Sequence, residues 1–202
     1  MCNRINKNII FLFSAIVFCS TPIQINYAQQ QELSYSVNAY FSLGYGKFLS
    51  ELDYDKLNKS GFSGTIRIMW EPEHLLSIGI ESGYLQLYNL DNQQVGEPPN
   101  TFGITSSLNA VPIIAVFSMK VIDNFKLSGG SGMFILYSRV DAINNPVISS
   151  QLSTGSYIAA NYLHPLSDLI ALGGEIKFYY INKIEDGELT LQISLQYKFL
   201  SY

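Results

Sequence analysis

The chain has 202 residues, which is enough for one domain. Hydrophobic residues make up 48% of it and charged residues only 14%, well below the roughly 25% of charged residues in ordinary soluble proteins, so a typical soluble enzyme is disfavoured. The formal net charge of −4 provides no basic patch, which argues against a nucleic-acid partner.

The N-terminal segment is predicted to be a cleaved secretory signal peptide. Arg4 and Lys7 precede an apolar stretch, and the small residue Ala28 precedes a polar one. The apolar stretch is too short for a spanning helix, although a retained membrane anchor stays open as an alternative. The predicted organisation is therefore a signal peptide at residues 1–28 and one domain at residues 29–202.

Both cysteines, Cys2 and Cys19, fall inside the predicted signal peptide. The mature chain is therefore predicted to have no disulfide bond and no thiolate metal site. Cys19 also ends the apolar stretch, so a lipoprotein signal is a second alternative. The residue before it, Phe18, is larger than lipoprotein signals prefer.

After residue 28, eight segments show the period-two alternation of half-buried β-strands. They are residues 34–46, 61–70, 75–88, 107–121, 126–138, 156–163, 169–180 and 189–199. Segment 107–121 is apolar on both faces, so its orientation cannot be predicted. The last segment, LTLQISLQYKF, alternates strictly between apolar or aromatic and polar residues. One of its faces requires an apolar environment and the other a polar one.

The connections between these segments alternate in length. Residues 70–74, 121–125 and 164–168 form short turns, whereas the polar stretches 91–103 and 141–155 are long. Short turns at one end and long loops at the other are typical of transmembrane up-and-down barrels, with the short turns in the periplasm. The last strand is predicted to pair with segment 169–180 and to close the barrel on segment 34–46.

The composition of the two faces favours lipid outside the barrel. The non-apolar face consists mainly of Ser, Thr, Gly, Gln and Asn with few charges, which suits a narrow lumen better than a water-facing surface. A soluble lipocalin-like carrier is the alternative. Aromatic residues lie at or near predicted strand ends, as an interfacial girdle requires: Tyr35, Tyr45, Trp70, Tyr84, Tyr88, Tyr137, Tyr180, Tyr197 and Phe199.

The predicted fold class is therefore all-β: an eight-stranded antiparallel up-and-down transmembrane β-barrel, preceded by a signal peptide. Because backbone groups in hydrocarbon need partners, only a closed sheet allows strands to cross a membrane. The predicted location is the outer membrane of a Gram-negative bacterium, with membrane lipid as the surrounding partner and a monomer as the oligomeric state.

Three stretches resemble the small porin-like outer-membrane β-barrel family of Bacteroidetes, over essentially the whole mature chain. They are NAVPIIAVFSMKV, the Gly-rich KLSGGSGMFILYS and the terminal LQISLQYKF. In that family a Pro-containing apolar strand precedes a Gly-rich one, and the barrel assembly machinery reads the aromatic-rich last strand. The resemblance implies the same partner here, although Leu200 and Ser201 separate Phe199 from the terminal Tyr202. It implies no particular task.

Five charged residues fall on the predicted inner faces: Arg67, Glu81, Glu175, Lys177 and Lys198. Arg67 and Glu81 flank the first short turn and are expected to meet diagonally across adjacent strands. This lumen polar network is either an ionic gate or, as the favoured interpretation, a set of mutually satisfied groups in a filled barrel.

Other signals of chemistry are weak. His74 and His164 fall in predicted periplasmic turns, and no catalytic or phosphate-binding motif occurs. No cofactor and no metal are predicted. Acidic residues in the predicted loops suggest solvation, or a divalent cation or external ligand: Glu51, Asp53, Asp55, Asp91, Glu97, Glu185, Asp186 and Glu188.

The predicted function is a non-enzymatic outer-membrane protein that presents surface loops to an external ligand. Three alternatives stay open. They are a narrow channel for small solutes or ions, a lipid-modifying barrel enzyme, and the soluble carrier.

Overall fold

The computed structural model describes residues 35–50, 57–72, 76–95, 102–142 and 145–201. The predicted signal peptide lies outside these ranges. All of the described residues belong to one compact unit, Leu33–Tyr202. No helix long and apolar enough to cross a membrane occurs among them.

The described residues form antiparallel strands joined by turns. The strands are β1 (Ser36–Leu49), β2 (Leu57–Asn58), β3 (Ser60–Glu71), β4 (Leu76–Val95), β5 (Phe102–Ile122), β6 (Phe125–Ala142), β7 (Asn145–Pro165), β8 (Ile170–Ile181) and β9 (Asp186–Ser201). Apart from the short β2, they match the eight predicted segments. The two-residue strand β2 pairs with the end of β4.

The sheet closes on itself. Each long strand pairs with its sequence neighbour, and β9 pairs with both β8 and β1. The β1–β9 ladder extends from Ser36 opposite Ser201 to Leu49 opposite Gly187. The predicted closure of the last strand on the first, and the predicted up-and-down antiparallel barrel, are therefore confirmed.

The last strand shows how alternation divides the two environments. Ile193 on its outer face is 68% exposed, whereas Ser194 beside it is fully buried in the lumen. The same division continues around the barrel, because successive side chains of a strand point to opposite faces. The outer face is a continuous apolar belt and the inner face contains most of the buried polar groups.

Strand β5, whose orientation could not be predicted, is resolved by its register. Ile114 and Val116 are buried in the lumen, whereas Ile113 and Phe117 lie on the exposed outer face. Pro112 lies where the β4–β5 ladder is interrupted, between the pairs Ser82–Ile113 and Leu85–Ala110. A proline has no N–H to donate to a ladder, so this break accommodates it in a central strand.

The predicted long loops are wrong in extent. Most of residues 141–155 belong to the β6–β7 hairpin, whose ladder continues to Ala142 opposite Asn145. Strands β4 and β5 also pair out to Val95 opposite Phe102. In β7 the alternation is absent there because residues 146–152 are exposed on both faces. We refer to the end with these extensions as the extracellular end and to the end with the short turns as the periplasmic end.

One predicted girdle residue is also misplaced. A bulge shifts the β4–β5 register between Gln86 and Tyr88. Tyr88 consequently packs inward against Phe48, with ring centroids 6.1 Å apart. Trp70 does lie on the outer face, where it stacks on Tyr35 at 5.8 Å near the periplasmic end.

Candidate functional site: a buried ion cluster in the lumen

Four of the five predicted lumen charges meet in the middle of the barrel. Arg67 lies on β3, Glu81 on β4, and Glu175 and Lys177 on β8. All four are at most 4% exposed. We call these four residues the ion cluster. Its two positive and two negative charges sum to zero.

The cluster is held together by short contacts. The Arg67 Nη2 atom lies 2.6 Å from Glu81 Oε2 and 2.6 Å from Glu175 Oε1. Lys177 Nζ lies 2.8 Å from Glu81 Oε2 and 3.2 Å from Glu175 Oε2. Each cation therefore bridges both carboxylates, which is the arrangement that a buried charge needs to offset its lost hydration.

The Arg67–Glu81 contact differs in geometry from the prediction. The two residues are directly opposite each other in the β3–β4 ladder rather than diagonal. Arg67 Nε also donates to Glu81 Oε2 at 2.7 Å. Such charge-assisted hydrogen bonds are stronger than neutral ones.

Neutral side chains complete the hydrogen bonding of the cluster. Lys177 donates to Thr65 Oγ1 at 2.8 Å, and the Tyr179 hydroxyl donates to Glu81 Oε1 at 2.8 Å. The Ser42 hydroxyl donates to Glu175 Oε2 at 3.2 Å. The Arg67 guanidinium also lies 5.6 Å from the centre of the Tyr40 ring, within cation–π range. Sequence reasoning identified the charges but not these partners, because ordinary Ser, Thr and Tyr residues occur throughout the strands.

Lys198 does not join the cluster. It lies near the periplasmic end of β9, opposite Asn38 of β1. Among the described residues it has no ion-pair partner, and it lines a cavity at that end instead.

The lumen is predominantly apolar on the extracellular side of the cluster. Tyr179 connects the two regions, since its ring packs edge-on against Phe134 at 6.2 Å while its hydroxyl binds Glu81. The sequence predicted a packed polar lumen, and this half of the lumen corrects that prediction. We call the buried apolar residues there the apolar plug: Phe48, Leu85, Leu87, Leu108, Phe134, Leu136 and Ile181.

Glu188 lies inside the barrel rather than in the predicted acidic loop. It belongs to β9, is fully buried, and faces the lumen opposite Phe48 and Tyr179. Neither carboxylate oxygen has a hydrogen-bond partner among the described residues. Burial of an unpaired acid is costly, so this position destabilises the barrel.

The remaining predicted candidates do not assemble into a site. His164 is exposed near the periplasmic end of β7, and Glu185 and Asp186 lie at the β8–β9 turn. Among the described residues, no group of three His, Cys, Asp or Glu side chains could hold a metal ion. The side chain of Asp91 is not described. Five other candidates lie outside the described residues: His74, Glu51, Asp53, Asp55 and Glu97.

Comparison with known proteins identifies the fold. No protein-family model matches the sequence, and no curated protein matches it. The chain is similar in structure to Ail, the attachment invasion locus protein of Yersinia pestis, with a TM-score of 0.50 and 12% identity, covering 84% of this chain and 100% of that chain. A major outer membrane protein from Thermus thermophilus has a TM-score of 0.52 and 13% identity, covering 82% and 99% of the two chains.

Neisserial surface protein A also matches, with a TM-score of 0.47 and 17% identity, covering 82% of this chain and 97% of that one. The similarity to Ail and to the Thermus protein, together with the closed sheet and its apolar outer belt, shows an outer-membrane β-barrel located in the outer membrane. The fold alone does not decide between a binding protein and an enzyme.

Proposed function

We propose that this outer-membrane barrel is a non-enzymatic interaction protein that binds extended polypeptide segments at its extracellular end. The observation that carries the proposal is the free edge of β7. This strand pairs with β6 from Asn145 to Tyr162, but with β8 only from Gly155 to Pro165. Among the described residues, its extracellular half therefore has a strand on one side only.

The β8–β9 turn covers the start of this edge and no more. Asn182 donates its backbone N–H to the carbonyl of Thr154, and Lys183 donates its own to the hydroxyl of Ser153. From Asn145 to Leu152, no strand of the described residues pairs with the second edge of β7. The extracellular extension has a second margin at β4. There the edge is covered, because the short strand β2 pairs with β4 at Asn89 and Leu90.

The free edge also carries exposed apolar side chains. Val147, Ile148 and Leu152 are 65%, 69% and 60% exposed. An exposed strand edge presents a row of unpaired backbone donors and acceptors that another chain can extend. Only a polypeptide in an extended conformation satisfies that row, and such strand addition is an established mode of peptide recognition.

The test uses the barrel in lipid nanodiscs and an unfolded protein, reduced and carboxymethylated lactalbumin, as the probe. We expect saturable binding of the unfolded probe and none of its folded form, because folded chains keep their strands paired. Proline is introduced separately at Ser149 and Ser150. Successive N–H groups of a strand point to opposite sides, so one substitution removes a donor from the free edge and the other removes a donor to β6.

The proline variant that retains the barrel's heat-modifiable migration on a gel is expected to lose most of the binding. Tyr137→Lys on β6 is the matched control, because both edges of β6 are already paired. Equal binding of folded and unfolded probe, or undiminished binding by the folded proline variant, would rule the proposal out.

The non-enzymatic assignment is supported by the way in which the charged side chains of the lumen pair with one another. The ion cluster directs its charges at itself, and the apolar plug separates it from the extracellular end. We infer that the cluster stabilises the barrel and is not an ionic gate. The alternative of a narrow channel requires a continuous polar path.

We accordingly expect planar-bilayer recordings of the full-length mature barrel to show conductance near background. The physical reason is that buried apolar side chains fill the lumen beyond the cluster. A denatured and refolded sample that lacks heat-modifiability serves as the control for leaks. Discrete, ion-selective channel openings from the folded sample would restore the channel interpretation.

We also propose membership of the Bacteroidetes family of small porin-like barrels. The support is that the Pro-containing strand β5 precedes the Gly-rich β6, and that the final strand contains Tyr197 and Phe199. The assembly machinery is the partner that this membership implies for the C-terminal strand.

A further inference from the structure

A cavity of about 370 Å³ opens at the periplasmic end of the barrel. It lies between the starts of β1 and β6 and the ends of β7 and β9, next to the β7–β8 turn. Its size is within the range of small-ligand sites. One wall is aliphatic, with Leu163, Pro165 and Ala171, and most of the remaining lining is polar or charged.

The floor of the cavity is a self-satisfied network. Lys126 Nζ donates to the Tyr40 hydroxyl at 2.9 Å and to both carboxylate oxygens of Glu71 at 2.8 Å. The Tyr40 hydroxyl donates in turn to Glu71. These groups are already committed to one another, so they form a rigid base and leave little capacity for a ligand.

Three of the other polar groups that line the cavity are uncommitted and available to a ligand. Asn38 is 1% exposed, and its Oδ1 atom has no hydrogen-bond partner among the described residues. Lys198, directly opposite Asn38 in the β1–β9 ladder, is half-buried and has no ion-pair partner in the described ranges. Asp168, on the rim, likewise has none there. Because buried polar atoms are normally paired, the free Asn38 acceptor indicates a missing donor.

The rim that carries Asp168 is an ordered turn. The Ser167 hydroxyl accepts hydrogen bonds from the backbone N–H groups of Leu169 and Ile170 at 3.4 and 3.1 Å. The backbone N–H of Lys198 donates to the Leu169 carbonyl at 2.8 Å, which ties the turn to β9. The free anion and the free cation are therefore held at one mouth of the barrel.

We propose that this cavity binds a short peptide with free termini and a small aliphatic side chain. Lys198 binds the peptide carboxylate, Asn38 Oδ1 accepts a peptide N–H, and Asp168 lies beside the peptide ammonium. The aliphatic wall accommodates the side chain. The three uncommitted groups are complementary to a zwitterion with an internal donor, whereas a simple anion would leave Asp168 and Asn38 without partners.

The test measures binding of alanyl-alanine to the full mature barrel in nanodiscs, using three related probes. Alanyl-alaninamide lacks the carboxylate, N-acetyl-alanyl-alanine lacks the ammonium, and inorganic phosphate is a plain anion. We expect Lys198→Gln to weaken alanyl-alanine binding about tenfold, the effect of one charge-assisted hydrogen bond. Binding of the amide should not change in that variant.

Asp168→Asn is expected to weaken alanyl-alanine binding by about threefold, since its ion pair is solvent-exposed. It should not affect the N-acetylated probe. Lys183→Gln at the extracellular turn is the matched control and should bind like the unmodified barrel. All variants are first checked for heat-modifiable migration.

Each contrary outcome is decisive. The proposal fails if the folded barrel shows no saturable binding of alanyl-alanine, or if Lys198→Gln weakens the peptide and its amide equally. If phosphate binds more strongly than the peptide, and Asp168→Asn does not change phosphate binding, the cavity is a plain anion site and the proposal of a peptide site is wrong. A loss in Lys183→Gln equal to that in Lys198→Gln would show non-specific charge attraction.

Discussion

Replacing Arg67 by methionine is expected to lower the free energy of unfolding by about 3–5 kcal/mol, the cost of breaking a buried ion pair from one side. Methionine retains the aliphatic bulk and removes the charge. Glu81 and Glu175, each 1% exposed, are then left with Lys177 as their only ion-pair partner among the described residues. Urea unfolding in lipid vesicles measures the loss, with the single tryptophan, Trp70, as the fluorescence probe.

The same substitution at Arg139 is the matched control. Arg139 pairs with Asp141 at 2.9 Å, but the two side chains are 57% and 36% exposed. An exposed pair contributes about 0–1 kcal/mol, so Arg139→Met should unfold at nearly the original urea concentration. If the two methionine variants lose equal stability, the ion cluster does not stabilise the barrel in the way inferred here.

Placing a lysine at Ile193 is expected to cost about 2–4 kcal/mol, the measured range for a cation at the bilayer midplane of an outer-membrane barrel. Ile193 lies near the middle of β9, opposite Leu43 and Gly174, and its side chain faces outward. On a water-facing surface the same substitution would be nearly neutral. Unfolding in vesicles therefore measures directly whether the outer face contacts lipid.

The control uses the fact that the cost of a lysine on the lipid face depends on its depth in the bilayer. Phe199 lies on the same outer face near the periplasmic end of β9, so Phe199→Lys should cost only about 0–1 kcal/mol. Equal and small effects at both positions would contradict a lipid-facing strand. A large effect at Phe199 and none at Ile193 would mean that the strand lies at a different depth.

The prediction of the fold rested on local alternation, and that is why it succeeded. In LTLQISLQYKF each residue faces opposite to its neighbours, so the two faces follow from sequence order alone. Strand β5 could not be oriented in this way, because Ile113 and Ile114 are equally apolar although one contacts the exterior and the other the lumen. Its orientation required the register with β4 and β6.

The candidate site was predicted in composition but not in arrangement. Alternation alone identifies Arg67, Glu81, Glu175, Lys177 and Lys198 as inward-facing. It does not state how far along the barrel axis each side chain lies. Strand tilt and stagger bring Glu175 from β8 to Arg67 on β3, and they leave Lys198 at the periplasmic mouth.

The sequence by itself determined which face meets lipid in the strands with clear alternation, such as β9, and it determined the number and order of the eight long strands. These properties depend on neighbouring residues only. The tertiary structure alone decided which inner charges meet, that Glu188 is buried, and that the edge of β7 extends beyond β8. Those outcomes depend on the shear at which the sheet closes, which relates residues far apart in the chain and leaves no local signal in any one strand.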